Sequence, residues 1–383
     1  MIAQSHPRPL IDVLAEIPDF RKRRGKRHPL PAVLALACAA MLCGHRGYCA
    51  IAEWGRNYGQ KLARALGITH KKTPCAATVH TIFKNIDVEL LESELGKWAE
   101  SVLATTPVPE GAGEDEGVAL DGKTLRGSRK QGAVKAHLLS AVSHRLGLTL
   151  GQQAVDDKTN EIPVVQELLK NLILEGRVFT MDALLTQREV AQTIIDGGGD
   201  YIMIAKDNQP RLKQEIQDVF QEPELLADTM STTETANLGH GRIEKRRLTA
   251  STALLGYSDW PGLQQVFQLE RTAIFKKSGE RRQEVVYGIT SLSAERAAPD
   301  RLLAFSRQHW HIENKSHWVR DVTFDEDRSQ VRCGSIPQVM AALRNTAIGL
   351  MRWNGETNIA AACRRFAARP REALALIGIQ LEN

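Results

Sequence analysis

The chain has 383 residues, 43% of them apolar and 25% charged, enough for two or three domains with a sizeable core and ordinary for a soluble globular protein. Its net charge of +5 is concentrated: residues 1–75 hold 13 Lys/Arg against 4 Asp/Glu, a surplus of +9 that suits a polyanion partner. Six cysteines without C-x-x-C spacing argue against a disulfide framework or a zinc site, and the apolar run Leu30–Cys43 is too short to span a bilayer and is broken by Pro31.

In chain order, residues 9–20 predict a short amphipathic helix ended by Pro18. The segment Arg21-Lys-Arg-Arg-Gly-Lys-Arg-His28 then places six cations in eight positions. Its self-repulsion favours contact with DNA phosphates, and the alternative is a solvated loop. Pro31–Cys43, Ala50–Leu66, Ala76–Ile86 and Leu90–Leu103 read as helices, the third with a polar face of Thr78, Thr81 and Lys84 that suits DNA reading. Pro107–Gly117 is rich in proline, glycine and acid without apolar period and reads as a linker.

After the linker the pattern turns to strands: Val118–Asp121, Ala136–His144, Leu148–Val155, Arg177–Met181 and Tyr201–Ala205, with helices at Ile162–Leu174 and Gln187–Ile195. This order, β-β-β-α-β-α-β, puts Asp121 and Asp182 at the ends of two strands, where open α/β sheets place their chemistry. Two readings compete for Gly117–Thr124: a strand delivering Asp121 as a metal ligand, or a phosphate loop of the G-x-x-x-x-G-K-T pattern and hence an ATPase. The loop reading needs a strand before Gly117 and a helix opening at Lys123-Thr124, and neither is legible. Lys206–Tyr287 is less regular and reads as an insertion with β-like runs at Val266–Phe275 and Glu284–Ile289 and a basic patch containing Arg242. Pro299–Val322 reads as one long helix placing His309, Glu313 and His317 on one face, and Ser335–Trp353 as another helix. A basic tail closes the chain. Two strand-end aspartates need a third acid to hold a metal pair. Glu313 is the candidate, with rivals in Asp321, Asp325, Glu326 and Asp327.

These blocks resemble a known family. IPDFRKRRGKRHPL and GYCAIAEWGR within 17–56, ALDGKTLRGS at 119–128, TMDALLTQ at 180–187, AKDNQP at 205–210, GHGRIEKR at 239–246 and HWHIENKSHWVRDVTFDED at 309–327 are similar, nearly end to end, to the DDE transposases of bacterial insertion sequences. The resemblance is to the H-repeat-associated, Rhs-linked (ISAs-type) group. It implies an α/β fold: a ribonuclease H-like mixed-sheet core at 118–353 with a β-rich insertion at about 206–290. A small helical DNA-binding or association domain at 1–106, a linker at 107–117 and a basic tail at 354–383 complete the expected organisation. It implies Asp121, Asp182 and Glu313 as catalytic residues and ligands of two Mg2+ ions, with Mn2+ able to substitute.

Double-stranded DNA, both element ends and target, is the implied substrate, cut and joined by a homodimer or higher multimer in the cytoplasm, nucleoid-associated when bound and without a membrane partner. The expected DNA contacts are Arg21, Lys22, Arg23, Arg24, Lys26, Arg27, Lys123, Arg126, Arg242, His309, His317 and Arg320. Related cut-and-paste transposases carry Tyr, Arg, Glu and Lys around the glutamate. Here only the glutamate matches, with Ser306, His309 and Arg320 in the corresponding places. The reading from another class is a DNA-binding relic or repressor that keeps the fold and cuts nothing.

Overall fold

The computed structural model describes residues 7–381 except 110–112, 114, 129–136, 156–160 and 240. Part of the expected linker, at 110–112 and 114, therefore lies outside the described residues, as does His240 of the basic patch. Five helices come first: α1 Leu10–Glu16, α2 Leu30–Leu42, α3 Tyr48–Ala65, α4 Ala76–Asn85 and α5 Val88–Thr105. Then follow β1 Glu116–Thr124, β2 His137–Ser143, β3 Thr149–Val155, α6 Glu161–Lys170, β4 Arg177–Met181, α7 Arg188–Asp196, β5 Asp200–Ala205 and α8 Pro210–Gln221. The next strands are β6 Met230–Gly239, β7 Arg242–Ser251, β8 Gln265–Phe275 and β9 Arg281–Thr290. After them come α9 Pro299–His309, a π-helical turn Ile312–His317, α10 Trp318–Val322, α11 Ile336–Trp353, α12 Ile359–Ala368 and α13 Pro370–Ile377. The strands form a nine-stranded mixed sheet in the order β3-β2-β1-β4-β5-β9-β8-β7-β6. Among the described residues no helix is long and apolar enough to cross a membrane.

Contacts divide the chain into two compact units. The first joins residues 1–112 to 122–160 and 312–383. Its centre is α2, whose leucines, alanines and cysteine are buried on every side, as the all-round apolar run requires. Small alanines let α1, α3, α11, α12 and α13 all approach it. At Gly96, α5 lies so close to β3 that a Cβ would come within 2.6 Å of the Leu150 carbonyl oxygen.

The second unit comprises residues 113–121 and 161–311. Here β1 runs parallel to β4 and β4 parallel to β5, while β5 meets β9 antiparallel. The antiparallel run β9-β8-β7-β6 then extends the sheet. Its core packs Leu248, Ala250, Phe267 and Leu269 of β7 and β8 against Leu302, Leu303 and Phe305 of α9.

The structure corrects four expectations. First, β1 continues through Thr124, so Asp121 lies inside a strand and Gly117–Thr124 is extended throughout. A phosphate loop is excluded, because no glycine-rich turn presents its amides there. Second, Lys206–Tyr287 is regular: α8 and the long strands β6 and β7 went unread. β6 (MSTTETANLG) is exposed along much of both faces and so lacks the apolar alternation that marks a half-buried strand. Third, the helix expected over Pro299–Val322 is interrupted by the π turn. The spacing of an ideal helix then fails, leaving Glu313 exposed while Ile312, Ser316 and His317 are buried. Fourth, the basic tail is two helices. Ile359, Ala362, Cys363 and Phe366 of α12 and Ala373, Leu374 and Ile377 of α13 are buried.

Candidate active site

Val118–Leu120 and Val178–Met181 are buried on both faces, as parallel strands between helices must be, and each run hands over to an aspartate. Leu120 pairs with Met181 in the register of β1 and β4, so Asp121 and Asp182 are the next residues on neighbouring parallel strands. The spacing between such strands is about 4.8 Å. The Asp182 side chain is 65% exposed. It precedes a short 3-10 turn, Ala183–Leu185, but makes no capping bond to it, so the carboxylate remains available for other ligands.

The turn after Asp182 is tied down from two sides. Thr186 donates through its hydroxyl to the Ile204 carbonyl (2.7 Å), Asn208 Nδ2 donates to the Ala183 carbonyl (2.5 Å), and Gln209 Nε2 to the Thr186 carbonyl (3.1 Å). These two amides explain the AKDNQP block, which carried no role in the sequence reading. Thr180 was also missed. It lies two residues before Asp182, on the same face of β4, and its hydroxyl shares a 3.0 Å hydrogen bond with His309 Nδ1. The other imidazole nitrogen, Nε2, sits 3.9 Å from Asp182 Oδ1. Burial pushes the imidazole pKa below its ordinary value, against the opposing pull of the Asp182 charge and a bond at Thr180. The ring thus faces the Asp182 carboxylate through Nε2, at a distance longer than a hydrogen bond.

Several expected DNA contacts lie elsewhere. Lys123 is 8% exposed and its ammonium grips both oxygens of Asp321, at 2.7 and 2.6 Å. That contact is internal to the first unit and removes Lys123 from phosphate recognition. It also occupies Asp321, the main rival to Glu313. Arg320 is fully buried, its Nη2 2.7 Å from Glu326 Oε2, while Arg344 Nη1 takes Glu326 Oε1 at 2.6 Å. Burial alone would raise the Glu326 carboxyl, but the two guanidinium charges outweigh it and hold its pKa below the usual value. His317 is buried beside them. Desolvation, then the Arg320 and Lys123 charges, push it down to about 3. Neither Arg320 nor His317 is a surface contact. Charged letters in a row suggest DNA, whereas Lys123 meets Asp321 from 198 residues away and Arg320 folds onto Glu326 six residues on.

The remaining expected contacts are accessible in varying degree. Lys22, Arg23, Arg24, Lys26 and Arg27 are exposed. Arg21 is not free: it forms an ion pair with Asp19 (2.8 Å) and donates to the His28 carbonyl (2.7 Å), so it shapes the basic segment. Arg126 is 72% exposed, 3.7 Å from Asp327. Arg242 stands on β7 in an ion pair with Glu244.

Paired aspartate oxygens suit a hard divalent cation. Among the described residues no three or more His, Cys, Asp or Glu side chains are gathered to hold a metal, so the two aspartates fit a divalent cation in chemical type only.

Comparison with known proteins matches residues 112–350 to the transposase DDE domain and residues 11–99 to the region described as DDE_Tnp_1-associated. The chain is 29% identical over 354 residues to the "H repeat-associated putative transposase YhhI" of Escherichia coli strain K12, covering 89% of this chain and 90% of that one. It is 33% identical over 270 residues to a Xanthobacter autotrophicus protein described only by its place in the dhlA 3′ region, covering 69% of this chain and 88% of that one. A piggyBac transposase synaptic complex with hairpin DNA aligns at TM-score 0.41 and 10% identity, over 96% of this chain and 76% of that one, too loosely to carry an argument.

Proposed function

The chain belongs to the family of the transposase DDE domain, and from that premise we propose that this DNA transposase cuts and joins phosphodiester bonds at divalent cations held by Asp121, Asp182 and Glu313. The observation that carries the reading is the β1–β4 register, which sets Asp121 beside Asp182 on adjacent strands. Glu313 is the third carboxylate that the resemblance implies, and its exposure on the π turn leaves it open to a ligand. Divalent cations held by these carboxylates, Mg2+ or Mn2+, would supply Lewis-acid charge to the phosphoryl displacement.

The chain's own residues account for the rest. Asp182 presents its carboxylate outward, where a phosphodiester can reach it. Thr180 fixes the His309 ring, whose Nε2 stands 3.9 Å from Asp182 Oδ1. The buried strands below exclude water from the base of the site. Water is the nucleophile for the first cut at an element end, releasing a 3′-hydroxyl that attacks target DNA in turn. The exposed run Lys22–Arg27 and Arg126 supply sequence-independent phosphate contacts. Assembly as a dimer or higher multimer on the DNA belongs to the same proposal.

The test is strand cleavage of the element's own flanking DNA with Mg2+ or Mn2+. Cleavage at the boundary by the intact chain, lost in Asp121→Ala, Asp182→Ala and Glu313→Ala, supports the reading. Specific binding without cleavage by the intact chain replaces it with a DNA-binding relic.

A further inference from the structure

In the first unit, one buried carboxylate has no positive partner. Glu92 of α5 is 9% exposed, and among the described residues no lysine, arginine or histidine pairs with it; the charge of Glu89, which bears on it, has the same sign. Neutral amides meet its two oxygens instead. Gln152 Nε2 of β3 donates to Oε1 at 2.6 Å, and Gln338 Nε2 of α11 donates to Oε2 at 2.9 Å. Asn345 Nδ2, also on α11, donates in turn to Gln152 Oε1 at 2.9 Å. These bonds all run towards Glu92. They leave Asn345 Oδ1 at the far end, buried and without a hydrogen bond among the described residues.

Glu92, Gln152, Asn345 and Thr346 line one cavity of about 30 Å³, walled by α5, β3 and α11. That is room for about two water-sized particles at most. Glycines keep the walls close. A Cβ at Gly96 would lie 2.6 Å from the Leu150 carbonyl oxygen, and one at Gly349 would lie 2.9 Å from the Leu148 side chain. Thr346 donates its hydroxyl to the Ala342 carbonyl at 3.0 Å, so towards any other neighbour its oxygen can only accept. The cavity wall therefore combines one carboxylate with an amide oxygen and a hydroxyl oxygen.

Buried charges in proteins are paired or coordinate a metal, and an orphaned buried acceptor calls for a donor or an ion. A bridging water would complete the hydrogen bonds and leave the charge unanswered. A magnesium ion would need an octahedral oxygen shell that includes several waters, too many for this volume, and one carboxylate would neutralise only half of its charge. We infer that the cavity is a site for one monovalent cation of the size of a water molecule, potassium, held by Glu92, Asn345 Oδ1 and Thr346 Oγ1. The cation ties α5, β3 and α11 together at their one uncompensated charge. A proton is the alternative answer to that charge, and the cation prevails where protons are scarce.

The experiment is thermal melting of the full chain at about pH 9, where the carboxyl is ionised. Potassium chloride replaces tetramethylammonium chloride, whose cation is too large for the cavity, at constant ionic strength. The melting temperature should rise with potassium and then level off, by about 2–4 °C in all. Glu92→Gln keeps the shape of the side chain and should abolish the rise. Asn345→Leu should abolish it too, and decides the matter alone if Glu92→Gln fails to fold. Glu89→Gln alters an exposed charge nearby and should leave the rise intact. Identical melting of the intact chain in the two salts overturns the inference and leaves a cavity that holds water. A rise that persists in Glu92→Gln or Asn345→Leu overturns it as well, by placing the cation elsewhere.

Discussion

Glu326 gives the sharpest test of the first unit, because one carboxylate answers two buried guanidiniums. Glu326→Gln keeps the shape and removes the charge, leaving Arg320 and Arg344 together without a counter-ion; both are at most 2% exposed. Breaking a buried ion pair by removing one partner costs about 3–5 kcal/mol, well above the typical 1 kcal/mol of a surface change. Against a total stability of order 5–15 kcal/mol this is a large fraction. Urea unfolding followed by circular dichroism measures it as a fall in midpoint.

The pH dependence has a definite sign. The folded Glu326 pKa lies below the ordinary 4.5, so the unfolded state binds the proton first as pH falls. The stabilisation is present above about pH 4.5, is lost as pH falls through the folded value, and should be absent in Glu326→Gln. Replacing all three charges with apolar residues of similar volume should recover much of the loss. A single-variant loss under about 1 kcal/mol would refute the claim that the two arginines depend on this carboxylate.

Three further outcomes follow from the same geometry. On the proposed reading of Asp182, His309→Ala should lower cleavage by about 10–100-fold and raise the divalent-cation concentration needed for half-maximal cleavage, while His309→Gln should recover part of it. Lys123→Met leaves Asp321 without its buried cation. It should cost roughly 1–3 kcal/mol in urea unfolding and leave the salt slope of DNA binding unchanged, whereas a phosphate contact would change that slope. Glu92 accepts hydrogen bonds from Gln152 (2.6 Å) and Gln338 (2.9 Å), and burial raises its pKa to about 8. The folded state then holds a proton that the unfolded state has released, so stability should decline as pH rises from about 4.5 to about 8, and Glu92→Gln should abolish that slope in thermal melts.

Much of the core was legible because burial leaves a direct mark on composition. The apolar runs Val118–Leu120 and Arg177–Met181, each followed by aspartate, read as strands with acids at their ends, and Pro31–Cys43 read as a helix, which the structure buries on all sides. The β-β-β-α-β-α-β order came from the same periodicity. β6 did not, since it is exposed along much of both faces, and β7 did not, since only its second half (Leu248, Ala250, Ser251) is buried.

What only the tertiary structure decided is the fate of each charge. Lys123 and Arg320 stand in two stretches that look like basic surface, yet they are buried on Asp321 and Glu326. A charged side chain can be buried only where an opposite charge meets it. Arg344, which shares Glu326 with Arg320, is 18 residues from that carboxylate, and Asp321 is 198 residues from Lys123. No local pattern encodes such distances. The register of β1 on β4 belongs to the same class: sequence placed an aspartate after each apolar run, and only the pairing of Leu120 with Met181 set the two residues at neighbouring positions on adjacent strands.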